Sequence, residues 1–139
     1  MKHINTNTFG PWALVTGASS GIGKEFARQL AQVGLNLVLV ARRLPLLEEI
    51  GRTLADEYGI GYRAMALDLS QEDFLERLET VTRDLDIGLV VSNAGSANPG
   101  EFLSHYPAIC TRRCGCPCWR IWIWRITLGK NWPHASAGE

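Results

Sequence analysis

The residues best suited to chemistry in this sequence are the eight of Thr16-Gly17-Ala18-Ser19-Ser20-Gly21-Ile22-Gly23. Glycines so placed serve three ends: a tight turn, close approach of backbone N–H groups to a ligand, and tight packing of a helix on a strand. The apolar run Trp12 to Thr16 precedes them and a helical pattern follows. A helix start offers unpaired N–H groups and partial positive charge, which suits a phosphate or pyrophosphate. Alone, a glycine triplet is weak evidence, and its plain alternative is a structural turn, which the strand before it and the helix after it disfavour.

Three other short stretches carry polar or charged groups at the ends of apolar runs: Val40-Ala41-Arg42-Arg43, Asp68-Leu69 and Ser92-Asn93-Ala94-Gly95. Two guanidinium groups side by side match phosphate geometry and keep their charge. The plain alternative for Arg42 and Arg43 is a solvated basic helix start. Lys24 and the loop serines could add polar contacts, although Lys24 also fits an exposed helical position. Each of Asp68 and Asn93-Ala94-Gly95, taken singly, is also an ordinary turn or strand exit. Cys110, Cys114, Cys116 and Cys118 lack the paired Cys-x-x-Cys spacing of structural zinc sites, so no metal site is expected. Disulfides are not expected in a reducing compartment.

These groups need a scaffold, and the hydrophobic pattern supplies one. Trp12 to Thr16 reads as a buried strand. Ile22, Phe26, Ala27, Leu30 and Ala31 then mark one helical face, which Gly34 ends. Leu35 to Val40 is a second buried strand. Pro45 suits a first helical turn, and Leu47, Ile50 and Leu54 continue with helical spacing. Tyr62 to Leu67 reads as a third strand. Ser70 with Asp73 resembles a capping box, and Phe74, Leu78, Val81 and Leu85 form a further stripe. Ile87 to Ser92 is a fourth strand. Buried strands alternating with amphipathic helices predict a doubly wound parallel sheet with right-handed crossovers.

With the strands placed, the stretches fall into a register that resembles one family. TGASSGIG is similar to the TGxxxGxG cofactor motif of the short-chain dehydrogenases/reductases. Val40-Ala41-Arg42-Arg43, Asp68-Leu69 and Ser92-Asn93-Ala94-Gly95 follow the second, third and fourth strands as in that family. Ser92 departs from the first Asn of the family's NNAG. The resemblance covers about residues 10–103 and implies an α/β fold, a Rossmann-like doubly wound parallel sheet, here truncated after about four strands. It implies that the first strand sits centrally, with the second and third on one side and the fourth on the other.

The resemblance also implies roles. Gly17, Ser19, Ser20, Gly21, Ile22 and Gly23 would line the pyrophosphate and ribose of a dinucleotide. Asp68 would accept a hydrogen bond from the adenine amine, with the Leu69 backbone beside it. Asn93, Ala94 and Gly95 would border the adenosine ribose and brace the central strands. An acid after the second strand would bind the ribose 2′-hydroxyl of NAD, whereas this chain has Ala41 followed by Arg42 and Arg43. Arg42 is the expected 2′-phosphate contact and Arg43 the expected partner for the adenine face, which makes NADP(H) the cofactor.

The family pattern then breaks. Complete members carry a catalytic Ser and a Tyr-x-x-x-Lys pair. Tyr58, Tyr62 and Tyr106 are followed four residues on by Tyr62, Ala66 and Cys110, so no such pair exists and no catalytic residue is assigned. Residues 1–104 hold thirteen of the fourteen acidic residues and no cysteine; residues 105–139 hold all four cysteines and four of the five tryptophans. We therefore expect an NADP(H)-binding half-domain over 1–104 and an atypical Cys/Trp/Arg-rich tail over 105–139, of the kind a shifted reading frame or mis-called gene end produces. The run from Trp119 to Leu128 is β-prone but fixes no register. The expectation is a marginal, aggregation-prone domain with a poorly ordered tail.

Composition closes off other classes. Apolar residues make up 46% and charged residues 20%, as in a soluble globular chain. Net charge is zero, which argues against a nucleic-acid or anionic-membrane partner. MKHINTNTFGP has no apolar leader core and no apolar run reaches membrane-span length, so the default compartment is the cytoplasm. The partners expected are a dinucleotide and, in complete relatives alone, an alcohol or carbonyl substrate interconverted by hydride transfer. The family's usual oligomer interface would lie outside the recognisable segment. The rival functions are a non-catalytic dinucleotide-binding module and a truncated product without activity.

Overall fold

The short apolar run at the start of the chain forms the first central strand, β1 (Trp12–Thr16), of a parallel sheet in a computed structural model that describes residues 10–95. It is followed by α1 (Gly21–Gln32), β2 (Asn36–Ala41), α2 (Leu44–Tyr58), β3 (Tyr62–Ala66), α3 (Phe74–Thr82) and β4 (Ile87–Ser92). The sheet order is β3-β2-β1-β4, with every pairing parallel. This is the α/β Rossmann-like arrangement the alternating pattern predicts, with β1 inside and β4 on its far side from β2.

Parallel pairing explains the composition of the strands. Leu14 lies opposite Val38 on one side and Val90 on the other. Ala13, Val15, Leu37 and Leu39 face one layer, whereas Leu14, Val38 and Val40 face the other, and all seven are fully buried. Strands covered on both faces lose the polar alternation of a half-exposed sheet. The first layer is closed by Ala27, Leu30 and Ala31 of α1 with Leu47, Ile50 and Leu54 of α2. The second is closed by Phe74 and Leu78 of α3. Each large aliphatic side chain buried this way contributes roughly 1.5–3 kcal/mol.

Local chemistry sets the ends of the elements. Gly34 and Gly59 adopt positive φ of 88° and 68° after α1 and α2, a conformation that costs a residue with a Cβ about 1–2 kcal/mol. Pro45 lies in the first turn of α2, where its missing N–H has no helical partner to lose. At the amino ends of the strands, Arg63 makes paired bonds to the Asp84 carboxylate at 2.7 and 2.6 Å and donates to the Val81 carbonyl. Its guanidinium also lies 5.9 Å from the Trp12 ring centroid, which clips β3, β1 and the end of α3 together.

Three expectations need correction. Ser70 and Asp73 form no capping box: α3 starts at Phe74, and its N-cap Asp73 makes no side-chain cap bond. The Ser70 hydroxyl is drawn to Asp68, because an Asp two residues back offers a nearer acceptor than the helix start. Ile22 and Phe26 do not share the buried face of α1; they are 69% and 45% exposed, on the flank beside the sheet-facing row of Gly23, Ala27, Leu30 and Ala31. Strand bounds shift by one residue, since β2 runs through Ala41 and β3 ends at Ala66. The tail over 105–139, its cysteines and the Trp119 to Leu128 run lie outside the described residues.

Candidate functional site

Because all four strands run the same way, their carboxyl ends share one edge. The loop after β1 and the exits of β2, β3 and β4 all open there, which is where open α/β sheets hold their ligands. The residues that the family resemblance gives to a cofactor, Gly17 to Gly23, Arg42, Arg43, Asp68, Leu69 and Asn93 to Gly95, fall on these exits or on the first turn of α1.

The centre of this edge is a knot between the glycine loop and the exit of β4. Thr16, fully buried at the end of β1, accepts hydrogen bonds from the Asn93 backbone N at 3.1 Å and the Ala94 backbone N at 3.0 Å. Its hydroxyl donates to the Val91 carbonyl at 3.4 Å. The Asn93 side-chain amide reaches the Thr16 and Gly17 carbonyls at 3.4 and 3.5 Å. From the other side, Gly17 N donates to the Val40 carbonyl at 2.8 Å, tying the loop to the end of β2. The octapeptide is therefore braced by both neighbouring strands.

The three glycines divide the work. A Cβ on Gly23 would stand 2.3 Å from the Gly17 carbonyl oxygen and 2.5 Å from Asn93 Nδ2, so only hydrogen fits between helix and loop. A Cβ on Gly17, at φ +68°, would meet Asn93 Nδ2 at 2.9 Å and Ala94 Cα at 3.0 Å. Gly21 differs: at φ +56° it opens α1, and a Cβ there would meet nothing within 4 Å. Ser20, the N-cap, makes no side-chain cap bond. The first turn of α1 thus offers backbone N–H groups to open space, with the helix dipole behind them. A phosphate group fits such a cradle.

Around this centre stand the remaining groups. Ser19 is half-buried and Ser20 exposed. Arg42 and Arg43 are both exposed just beyond β2. Leu67 N donates to the Ala41 carbonyl at 2.9 Å, which places Asp68 beside Arg42. Asp68 is half-buried, and its Oδ1 accepts from the Ser70 N at 3.0 Å and the Ser70 hydroxyl at 2.7 Å. These two bonds hold the Asp68 carboxyl below its ordinary range, and the positive charge of Arg42 adds to the effect. Leu69 is buried in the second core layer, and Gly95 is exposed.

Two features were not legible as functional from sequence. Thr16 was visible only as the first letter of the loop motif, although a buried hydroxyl at a strand end requires partners. Ser70 resembles a cap through its spacing to Asp73, although its i+2 spacing from Asp68 is the signal of a local Asp–Ser turn. A groove of about 300 Å³ between α1 and α2 begins at Ser19 and Gly21 and continues past Lys24, Arg28 and Glu49. It carries both charge signs and lies beside the glycine loop, and Arg42, Asp68 and Asn93 do not line it. Among the described residues, no cluster of His, Cys, Asp and Glu could hold a metal ion, and no helix is long and apolar enough to cross a membrane.

The family model of the short chain dehydrogenases matches residues 11–113. The chain belongs to the short-chain dehydrogenase family. The match runs past Leu103, where the motifs read from the sequence stop. This short-chain dehydrogenase chain is 44% identical over 99 residues to a very-long-chain 3-oxoacyl-CoA reductase of Neurospora crassa, covering 68% of this chain and 30% of the relative. Among solved structures it is similar to a short-chain dehydrogenase from Sphingobium yanoikuyae in complex with NADPH, at 33% identity and a TM-score of 0.73, covering 85% of this chain and 47% of that one. A bulky-bulky ketone specific alcohol dehydrogenase from Comamonas testosteroni gives 31% identity and a TM-score of 0.73 over 87% of this chain and 49% of that one. The chain spans about a third of the curated relative and about half of each solved structure.

Proposed function

We propose that this chain is the NADP(H)-binding portion of a short-chain oxidoreductase. The observation that carries the reading is Gly21: a residue at φ +56°, open above, at the uncapped start of α1, between two glycines packed against backbone and Asn93. Ser19, Ser20, Gly21, Ile22 and the turn at Gly17 and Gly23 would hold the pyrophosphate and ribose. Arg42 would pair with the 2′-phosphate, and Arg43 would lie on the adenine face. Asp68 would accept from the adenine amine beside the Leu69 backbone, and Asn93, Ala94 and Gly95 would border the adenosine ribose. The choice of NADP(H) over NAD(H) rests on the two arginines and on the lack of an acid after β2. It is supported by the NADPH complex of the Sphingobium relative.

Bound there, the cofactor supplies a hydride for carbonyl reduction or accepts one from an alcohol. What this chain's residues do is bind and orient. The glycine loop neutralises phosphate with N–H groups, the arginines select the phosphorylated ribose, and the Thr16 knot keeps loop and β4 exit in one register. A bulky carbonyl compound or an acyl-CoA thioester with a 3-oxo group is the substrate class suggested by the relatives' names. We place the binding unit at residues 1–104, with 105–139 outside it. The second reading, a dinucleotide-binding module without turnover, is favoured by one observation: none of the three tyrosines is followed by Lys at the fourth position.

Calorimetric titration of the full chain with NADPH and NADH tests the proposal. Saturable binding that is tighter for NADPH is the expected result. No binding of either nucleotide overturns the dinucleotide reading, and equal or tighter NADH binding overturns the cofactor choice.

A further inference from the structure

We infer that Ser70 is a positioning residue for base recognition: its backbone and side chain together fix Asp68 as an acceptor, and this selects a purine bearing an exocyclic amine. The inference rests on the dinucleotide reading above, which already gives Asp68 the adenine amine, and goes beyond it by naming Ser70 as the residue that fixes Asp68 for that role.

The chain leaves β3 at Ala66 and passes Leu67, whose N–H is still bonded to the end of β2. Asp68 is the first residue beyond that tie. A carboxylate on a short stem has two freely exchanged orientations unless something holds it. Here Oδ1 accepts both the Ser70 amide, at 3.0 Å, and the Ser70 hydroxyl, at 2.7 Å. The Gln71 backbone N also bonds back to the Asp68 carbonyl at 3.2 Å, so the turn is closed on both sides. Leu69, between them, is buried among Leu67, Phe74 and Leu78 and anchors the turn to the core. Oδ1 is thereby held by Ser70, and the Gln71 side chain adds a further hydrogen bond to the carboxylate.

The chemistry of what the held carboxylate can recognise follows. An ionised carboxylate only accepts hydrogen bonds. Asp68 is in that form at neutral pH, and both Ser70 bonds favour the charged carboxylate further. An acceptor at this place attracts an exocyclic NH₂, as on adenine, and repels a ring carbonyl, as on hypoxanthine. Without Ser70 the carboxylate would keep its charge but lose its fixed direction. The loss would then fall on the amine-bearing base alone.

The test compares two nucleotides that differ in that group alone, NADPH and its hypoxanthine analogue, on the full chain and on Ser70→Ala and Ser70→Thr. The native chain should bind NADPH more tightly than the analogue. Ser70→Ala should weaken NADPH roughly three- to tenfold, the worth of one well-placed hydrogen bond, while leaving analogue binding unchanged. Ser70→Thr keeps the hydroxyl and should restore most of the difference. Equal weakening of both nucleotides would make Ser70 a structural residue and overturn the inference, as would no change in either. A chain that binds neither nucleotide overturns the dinucleotide reading and this inference with it. Binding of NADPH with no discrimination against the analogue overturns the inference alone.

Discussion

The Thr16 hydroxyl lies 3.0 Å from the backbone nitrogen of Ala94, a residue 78 positions away in the sequence. A hydroxyl has one donor and two acceptor sites, and here all three are used, by Asn93 N, Ala94 N and the Val91 carbonyl. One buried side chain thus joins the ligand-facing loop after β1 to the exit of β4. Thr16→Val keeps the shape and removes the hydroxyl. It should cost about 1–2 kcal/mol, because two backbone N–H groups lose this hydroxyl as acceptor while Asn93 N keeps its bond to the Val91 carbonyl at 3.2 Å. Thr16→Ser removes one methyl and should cost about 1 kcal/mol. Urea denaturation of the two variants measures the difference, and equal midpoints would show that the knot contributes little.

The glycines separate stability from binding. Gly23→Ala would push a Cβ against the Gly17 carbonyl, a backbone atom, so the loop must shift. Both the melting temperature and nucleotide affinity should fall. Gly21→Ala meets open space and carries only the left-handed backbone cost of about 1–2 kcal/mol. Its methyl would occupy the cradle, so NADPH binding should disappear from a chain that still folds. Thermal melts and titrations on both variants check this. A Gly21→Ala chain that binds normally would remove the cradle from the site.

Much of this was legible beforehand, for physical reasons that differ between elements. Ile87–Ser92 is readable in full because an unbroken apolar run ends in a polar residue, although as the edge strand most of it is only half-buried. The glycine loop was readable because positive φ and close backbone contact leave few residue choices. Ile22 and Phe26 misled because spacing reports a helix face but not which layer lies against it. Ser70 misled because one hydroxyl can cap a helix or close a turn, and the nearer acceptor, Asp68, wins. The Thr16 bonds depend on residues 77 and 78 positions distant, which no local pattern announces.

Cofactor choice should be reversible at one position. Arg42 is exposed just after β2, where the proposed reading puts the adenosine ribose. Arg42→Asp replaces a partner for the 2′-phosphate by a charge that repels it and can bind a 2′-hydroxyl. NADPH affinity should fall by roughly tenfold or more, and NADH should become the preferred ligand. Parallel titrations decide it, and an unchanged preference would remove Arg42 from the site.

Asp68 makes a pH prediction whose sign is fixed. Its carboxyl is held below the ordinary 3.8, first by the Ser70 amide and then by the Ser70 hydroxyl. A depressed carboxylate stabilises the fold above its unfolded value, and that contribution is lost as pH falls through the folded one. The turn should therefore be intact, and protonation of Asp68 should make no contribution to the pH dependence of NADPH affinity, from neutral pH down to about pH 5. In an NMR titration of the side-chain carboxyl, the midpoint should lie below 3.8 and rise in Ser70→Ala. A native midpoint at or above the ordinary value would mean that the two bonds do not hold the charge.

The last prediction concerns turnover by the 139-residue chain. Hydride transfer to a carbonyl needs an acid positioned at the substrate oxygen, with a pKa suited to giving up its proton. Tyrosine is the acid that the family resemblance implies, so the places of the tyrosines decide the matter within the described residues. Tyr62 begins β3, and its hydroxyl donates to Glu48 at 3.1 Å while its ring packs where a Cβ on Gly51 would fall. Tyr58 ends α2, which returns to the amino ends of the strands. The backbones of both therefore stand at the end of the sheet opposite the glycine loop, and the Tyr62 side chain is committed to packing on α2. Neither is followed by the Lys that would lower its pKa and hold the nicotinamide ribose. Purified chain mixed with NADPH and a panel of bulky ketones should oxidise the cofactor no faster than the buffer alone, while still binding it. Steady NADPH oxidation that scales with protein concentration, and that Gly21→Ala abolishes, would show that this chain supplies an acid of its own and overturn the binding-only account.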